Sequence, residues 1–370
     1  MQESETENET ERATAAVARE RRKGRGAVSN ASGRFETHSR EEVWDGWDIP
    51  EERAGFATQV AEEQARSLIS YNRSPDLPFD RSINPYRGCE HGCVYCFARP
   101  SHAYLGLSPG LDFETRLVAK VNAPEVLARE LRARSYAVAT LAIGTNTDPY
   151  QPVERDRGLM RACLEVLRAF RHPVAIVTKG ALIERDLDIL APMAREGLVR
   201  VGISVTTLDD GLSRRMEPRV PRPARRLATI RALAEAGVPV RVMVSPVVPG
   251  LSDHEVEGIL SAARDAGAQA ASWIMLRLPR EVSPIWQEWL GEHYPGRAAG
   301  VMARLREMHG GKEYDARWGR RMRGEGVHAE MIAARFKAAA ARLGLDQRQP
   351  ELRSDLFAPP AQAGDQLALF

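Results

Sequence analysis

The chain reads as an α/β protein built on a parallel sheet with helical crossovers, and three observations predict this. Short apolar runs rich in β-branched residues alternate with amphipathic stretches through the middle of the sequence. Glycines stand just past two of the amphipathic stretches, where helices end in a left-handed residue. Each apolar run also delivers unusual residues at its C-terminal end, where parallel α/β folds collect their chemistry. The alternation leaves open whether the sheet is an open doubly wound one or a barrel.

The predicted strands cover residues 83–86, 138–143, 174–178, 199–204, 240–245 and 273–276. Predicted helices fall between them, at 124–134, 156–170, 184–196, 224–236 and 253–266. Gly197 and Gly237 are the two C-cap glycines. Roughly 70 residues beyond the last strand read as mainly helical. At the start, Glu alternates with small polar residues, and a basic stretch, Arg21, Arg22, Lys23, Gly24 and Arg25, follows. Such composition predicts a solvated, disordered tail over residues 1–45, with at most a weak affinity for phosphates. Pro350, Pro359 and Pro360 break any helix near the end, so residues 346–370 are expected to form a second, flexible tail. The expected division is a tail (1–45), a lead-in (46–80), the α/β domain (81–282), a helical extension (283–345) and a tail (346–370).

Bulk properties narrow the class. A chain of 370 residues with 43% hydrophobic content can bury a sizeable core. It contains no apolar run of about 18 residues, and its acidic start lacks the apolar stretch of a signal peptide, so a cytoplasmic location is expected. A net charge of +2 gives no strong global field for nucleic acid. Of four cysteines, three lie close together, which suits metal ligation better than a disulfide framework.

Cys89, Cys93 and Cys96 have the spacing C-x3-C-x2-C, in the loop after the first strand. Three thiolates on one tight loop can wrap a [4Fe-4S] cubane, ligating three irons and leaving the fourth open. Zinc is the alternative, but it wants a fourth ligand, and neither His91 nor His102 completes a standard zinc pattern. The other strand ends deliver Gly144-Thr145-Asn146-Thr147-Asp148-Pro149-Tyr150-Gln151-Pro152, then Thr178-Lys179-Gly180, Ser204-Val205-Thr206-Thr207, Ser245 through Gly250, and Arg277. Six such loops in register suggest one site.

The cysteine motif, with Tyr95 just before its third cysteine, resembles that of the radical S-adenosylmethionine (radical SAM) superfamily. The longer strings from Asn84 to Arg99 and from Thr145 to Glu154 are similar to the branch grouped with spore photoproduct lyase and DNA repair photolyase-like proteins. The resemblance spans residues 80–280 and implies a partial (β/α)6 barrel with a helical C-terminal extension. It implies an enzyme whose cluster cleaves S-adenosyl-L-methionine reductively to a 5′-deoxyadenosyl radical, fed by an electron donor such as flavodoxin or ferredoxin. The resemblance implies action on nucleic acid or another macromolecule, with lyase or repair-like, methyl-transfer and modification chemistries as alternatives. A non-catalytic module stapled by zinc or an Fe–S cluster, binding nucleic acid or a clamp, is the alternative.

The resemblance also assigns roles. Tyr95 would lie beside the adenine, or pack as a loop aromatic. Thr145, Asn146, Thr147 and Asp148 would bind the methionine amino end, with Asp148 accepting from the ammonium; a plain turn at Asp148-Pro149 is the other reading. Lys179 would pair with the methionine carboxylate, and Ser204 and Thr206, on one face by strand alternation, would bond carboxylate or ribose. Ser245 and residues 247–250 would line the adenosine. Radical enzymes of the lyase type use a cysteine as hydrogen donor, but Cys163 recurs with Met160, Leu164 and Leu167 at helical core spacing, so a buried small hydrophobe is expected. The lyase's donor cysteine has no evident counterpart, which departs from that reaction.

Two basic clusters, Arg214, Arg215, Arg219, Arg222, Arg225, Arg226 and then Arg317, Arg320, Arg321, Arg323 around Trp318, could hold a single strand. A solvated face balanced by Asp209, Asp210 and Glu217 is the plainer reading. The last five residues, Gln366, Leu367, Ala368, Leu369 and Phe370, resemble the peptide with which bacterial repair proteins bind the DNA sliding clamp, its Leu and Phe serving as anchors.

Overall fold

A computed structural model describes residues 17–36 and 55–361. Its centre is a seven-stranded sheet in the order β10-β9-β8-β7-β6-β3-β2. The strands are β2 (Ile69–Tyr71), β3 (Arg81–Ile83), β6 (Leu141–Ile143), β7 (Val174–Thr178), β8 (Val199–Ser204), β9 (Val240–Val247) and β10 (Ala270–Met275). Six of them, β3 and β6 to β10, run parallel, and β2 adds an antiparallel edge. Helices cross between the parallel strands at Ala123–Leu131, Leu159–Ala169, Leu187–Arg195, Pro223–Glu235 and Val256–Asp265. Gly197 and Gly237 close two of them with φ of 72° and 78°, as their position predicts.

Alternation along the strands sets the curvature. Val174, Ile176, Val199, Val201, Val240 and Val242 are buried in the main core. Ala142, Val177, Gly202, Met243 and Ile274, from five adjacent strands, line a single cavity, so the sheet wraps around it. This is the partial (β/α)6 barrel. Its open side, between β10 and the β2–β3 loop, is bridged by the C-terminal extension. The Met275 N–H donates to the Met322 carbonyl at 2.9 Å, and the Gly319 N–H and Arg321 Nε reach the two carboxylate oxygens of Asp76, each at 2.7 Å. The extension is helical, as expected, at Val282–His293, Pro295–Met308 and Val327–Arg342.

Two expectations change. The run 83–86 is not one strand: β3 stops at Ile83, and β4 (Tyr86–Arg87) turns away to pair with β5 (Arg116–Lys120). Pro85, with no N–H, interrupts the ladder. With β1 (Gln59–Glu63), these strands form a small sheet in the order β1-β5-β4. The tails are also less free than expected. Within 17–36, Ala27 is fully buried, Arg22 pairs with Glu292, and the N–H groups of Gly26 and Ala27 donate to Glu114 at 2.8 and 2.9 Å. Near the other end, Phe357 packs on Tyr136, Phe170 and His172, with Leu356 also packed on the core. Among the described residues no helix is long and apolar enough to cross a membrane.

Candidate active site

The cysteine loop leaves β4 through Gly88, whose φ of 74° suits glycine, and turns again at Gly92, φ 66°. A Cβ at Gly92 would meet Glu114 Oε2 at 2.6 Å, so the loop admits no side chain there. One guanidinium braces it. Arg99, fully buried, donates to the carbonyls of Cys93 (3.0 Å), Gly92 (3.2 Å), Pro109 (3.0 Å) and Gly110 (2.9 Å), and pairs with buried Glu114 at 2.5 Å. Glu114 in turn holds the N-terminal segment, so the tail and the cysteine loop share one anchor.

From the second barrel strand, buried Gln151 donates to Gly88 O at 3.3 Å and Thr147 Oγ1 at 2.9 Å, and accepts from the Glu90 N–H at 2.8 Å. The Thr147 hydroxyl donates to the Gly88 carbonyl at 3.0 Å. Thr147 therefore clamps two loops together and is not free for a ligand. Asp148 is similarly engaged: Oδ1 accepts from Tyr150 N (2.9 Å) and Thr178 Oγ1 (2.5 Å), and Oδ2 accepts from Lys179 N (2.8 Å) and lies 3.3 Å from His91 Nδ1. Burial alone would raise its pKa, yet His91, Thr178 and the Lys179 N–H hold it down, to about 2. With three hydrogen bonds to its oxygens and His91 beside it, Asp148 ties the loop after the second barrel strand to Thr178 and Lys179. Asn146 is exposed, its N–H bonded to Asn84 Oδ1 at 3.2 Å, and Thr145 lines the barrel cavity.

Tyr95, Lys179 and Ser204 do come together. The Tyr95 hydroxyl donates to Glu217, which pairs with Arg226; both charged groups are fully buried. Arg226 also donates to the Ser204 carbonyl at 3.1 Å and Ser213 Oγ at 3.1 Å. Lys179 Nζ stands 5.7 Å from the Tyr95 ring centroid. Thr206 is fully buried, and its hydroxyl has no partner. Beside Cys96, exposed Phe97 carries the Arg277 guanidinium 4.4 Å from its ring centroid. Ser245 is half-buried, and Val247 and Val248 are buried. Arg99, Glu114, Gln151, Glu217 and Phe97 are the site-forming residues that the motifs alone do not single out.

All four cysteines are free thiols, and Cys163 is buried in the core, as its helical spacing predicts. Burial pushes the Cys93 thiol up to about 12 against the pull of Lys179, and it raises Cys89 as well. Zinc fits less well: His91 faces Asp148, and His102 donates from Nε2 to the Arg116 carbonyl at 2.9 Å. Among the described residues no three His, Cys, Asp or Glu side chains are grouped to hold a single metal ion.

The family model of the Radical SAM superfamily matches residues 83–263. The chain belongs to the radical SAM superfamily. It is a radical SAM enzyme by that membership, which sets aside the non-catalytic alternative. The chain is 40% identical over 235 residues to the uncharacterized protein Rv2578c of Mycobacterium tuberculosis, covering 63% of this chain and 68% of that one. It is 26% identical over 198 residues to the uncharacterized protein MJ0683 of Methanocaldococcus jannaschii, covering 53% and 71%. Among solved structures its fold is similar to spore photoproduct lyase, with a TM-score of 0.56, 17% identity, and 77% and 79% of the two chains covered. A structure of that lyase complexed with dinucleoside spore photoproduct matches with a TM-score of 0.55 and 16% identity, over 77% and 79%.

Most of the two arginine clusters is engaged. Arg219, Arg222, Arg225 and Arg226 pair with Glu90, Asp210, Glu184 and Glu217, and Arg317, Arg320 and Arg321 with Asp315, Glu325 and Asp76. Arg214 bonds the Asp210 carbonyl and Arg215 the Tyr294 hydroxyl. Both clusters are largely balanced by carboxylates, and the Arg226–Glu217 pair is buried, not solvated. The clamp-like peptide, residues 366–370, lies outside the described residues.

Proposed function

We propose that Cys89, Cys93 and Cys96 hold a [4Fe-4S] cluster at the C-terminal mouth of the barrel, beside a pocket for S-adenosyl-L-methionine. The observation that carries this reading is three free thiols on one short loop braced by Arg99, with Tyr95 of that loop facing Lys179, whose Nζ is 5.7 Å from the ring centroid. When bound, the cluster supplies one electron and an open iron for reductive cleavage of the cofactor's sulfonium. Lys179 is the cation that would meet the methionine carboxylate, Thr206 and Ser204 would offer hydroxyls to carboxylate or ribose, and Tyr95 would lie beside the adenine. Glu217 fixes the Tyr95 ring, while Asp148 sets the main chain of Lys179.

For substrate we propose a nucleobase-bearing molecule, in keeping with the dinucleoside bound by the similar lyase. The exposed Phe97 ring with Arg277 over it, directly after Cys96, is a ready stacking platform. The outcome would differ from a lyase reaction that needs a donor thiol, because the remaining cysteine, Cys163, is in the core. A flavodoxin or ferredoxin would deliver the electron. Residues 366–370 are proposed to bind a sliding clamp; equal recovery on clamp resin with and without them would discard this.

The test is anaerobic reconstitution with iron and sulfide. Brown protein that releases 5′-deoxyadenosine only with reductant is expected, and Cys93→Ala should abolish both. Zinc-loaded protein that releases none, or Cys93→Ala with full release, would overturn the reading. Phe97→Ala should weaken oligonucleotide binding without lowering iron content.

A further inference from the structure

Below the candidate active site, toward the N-terminal ends of the strands, the barrel lumen keeps a cavity of about 500 Å³. Small residues leave this room: Ala142 and Ala175 lie side by side on β6 and β7, and a Cβ on Gly202 would meet Met243 Sδ at 2.8 Å. Arg200 and Arg241 rise into it from the starts of β8 and β9, and Arg323 stands at its mouth, stacked on Trp273 at 4.5 Å.

These three arginines differ from the paired ones of the two clusters. Among the described residues none of their side chains makes a hydrogen bond or ion pair. The buried Arg241 Nε and Ser272 Oγ have no partner, and Gln349, only 9% exposed, keeps its Nε2 without one. Asp76, the one carboxylate among the lining residues, is held by Arg321 and the Gly319 N–H. Burial lowers the pKa of Arg200 against the opposing pull of Glu351, and burial together with the nearness of Arg200 lowers that of Arg241. Unpaired cations in such a place are costly unless an anion meets them.

We propose that this lumen binds a small phosphate ester, its phosphoryl group held by Arg200, Arg241 and Arg323 with Ser272 and Gln349 as further donors. Guanidinium forks match the several acceptor oxygens of a phosphoryl group. Trp273 and Met243 supply an apolar wall for an attached organic body. The site is distinct from the cysteine loop, and its occupancy requires neither iron nor S-adenosyl-L-methionine.

The full chain, without iron, is titrated calorimetrically and by thermal shift with inorganic phosphate, with adenosine monophosphate, with adenosine and with a short single-stranded oligonucleotide, against chloride at matched ionic strength. Adenosine monophosphate is expected to bind most tightly and to raise Tm by several degrees at saturation. Inorganic phosphate should bind more weakly, and chloride and adenosine should have no effect. Arg241→Gln and Arg200→Gln should each weaken binding at least about tenfold. Without ligand, Arg241→Gln should melt no lower than wild type, since it removes a part-buried charge that has no partner. Should either of these variants fail to fold, Arg323→Gln at the exposed mouth gives the same reading. Equal effects of phosphate and chloride, unchanged binding by the variants, or an oligonucleotide that outcompetes the monophosphate would overturn the proposal. Phosphate binding as tightly as the ester would overturn the ester assignment and leave an inorganic anion as the ligand.

Discussion

Arg99→Met would remove a guanidinium that makes five hydrogen bonds in a space closed to solvent. Four go to carbonyls of the cysteine loop and the 109–110 turn, and the fifth pairs with Glu114, itself fully buried. Methionine fills much of the volume but donates nothing, so the carbonyls lose their partner and the carboxylate loses its counter-charge. Glu114 keeps the Gly26 and Ala27 N–H donors, which softens the loss. Removing one member of such a buried pair costs about 3–5 kcal/mol, and the carbonyl losses overlap with that figure, so a total near 4 kcal/mol is expected. Glu114→Gln alone should cost less, because a neutral amide still accepts. The double variant should be more stable than the two single losses predict by at least about 1 kcal/mol, since neither charge is then stranded. Urea unfolding, followed by circular dichroism and by the fluorescence of buried Trp286 and Trp289, measures all three. Reconstituted iron content should fall in Arg99→Met, because Gly92 and Cys93 lose their brace. A loss below about 1 kcal/mol, or strict additivity of the two substitutions, would refute the claim that this pair holds the loop.

His172 provides a pH test. It is buried between Tyr136 and Phe357, and burial lowers its pKa to about 4 despite a bond to the Pro173 carbonyl. A histidine depressed in the fold contributes fully above its unfolded pKa of about 6.5, and that contribution is lost as pH falls toward 4. The loss should reach about 3 kcal/mol at pH 4, and His172→Asn should flatten stability measured between pH 7 and 4. Phe357→Ala should release the segment that it pins, at a cost of about 1–2 kcal/mol, seen as faster cleavage near residue 355 in limited proteolysis. Gly92→Ala should leave the barrel folded by circular dichroism but lower iron uptake several-fold, since its Cβ meets Glu114 and its backbone is left-handed.

The barrel was legible because its strands are buried on at least one face and therefore stand out as apolar runs; β7 and β8 fall where their Val and Ile residues predict. The small sheet was not, since β1 reads Gln-Val-Ala-Glu-Glu, mostly exposed, and its partner β5 lies more than 50 residues away. The cysteine trio was legible because thiols crowded onto one short loop of a disulfide-free chain serve best as metal ligands. What supports it was hidden for one physical reason: a charged residue in a sequence looks solvated, and only the fold shows that Arg99 meets Glu114, or that Arg226 meets Glu217, out of reach of water. The same blindness made residues 17–36 look like a free tail, although Arg22 and Gly26 find their acceptors on distant elements. It also hid the three hydrogen bonds, from Tyr150, Thr178 and Lys179, that fix the Asp148 carboxylate. Long-range satisfaction of charge therefore separates the motif from the site. Where that satisfaction is missing, at the arginines of the lumen, the fold leaves polar groups without partners that no local pattern reveals.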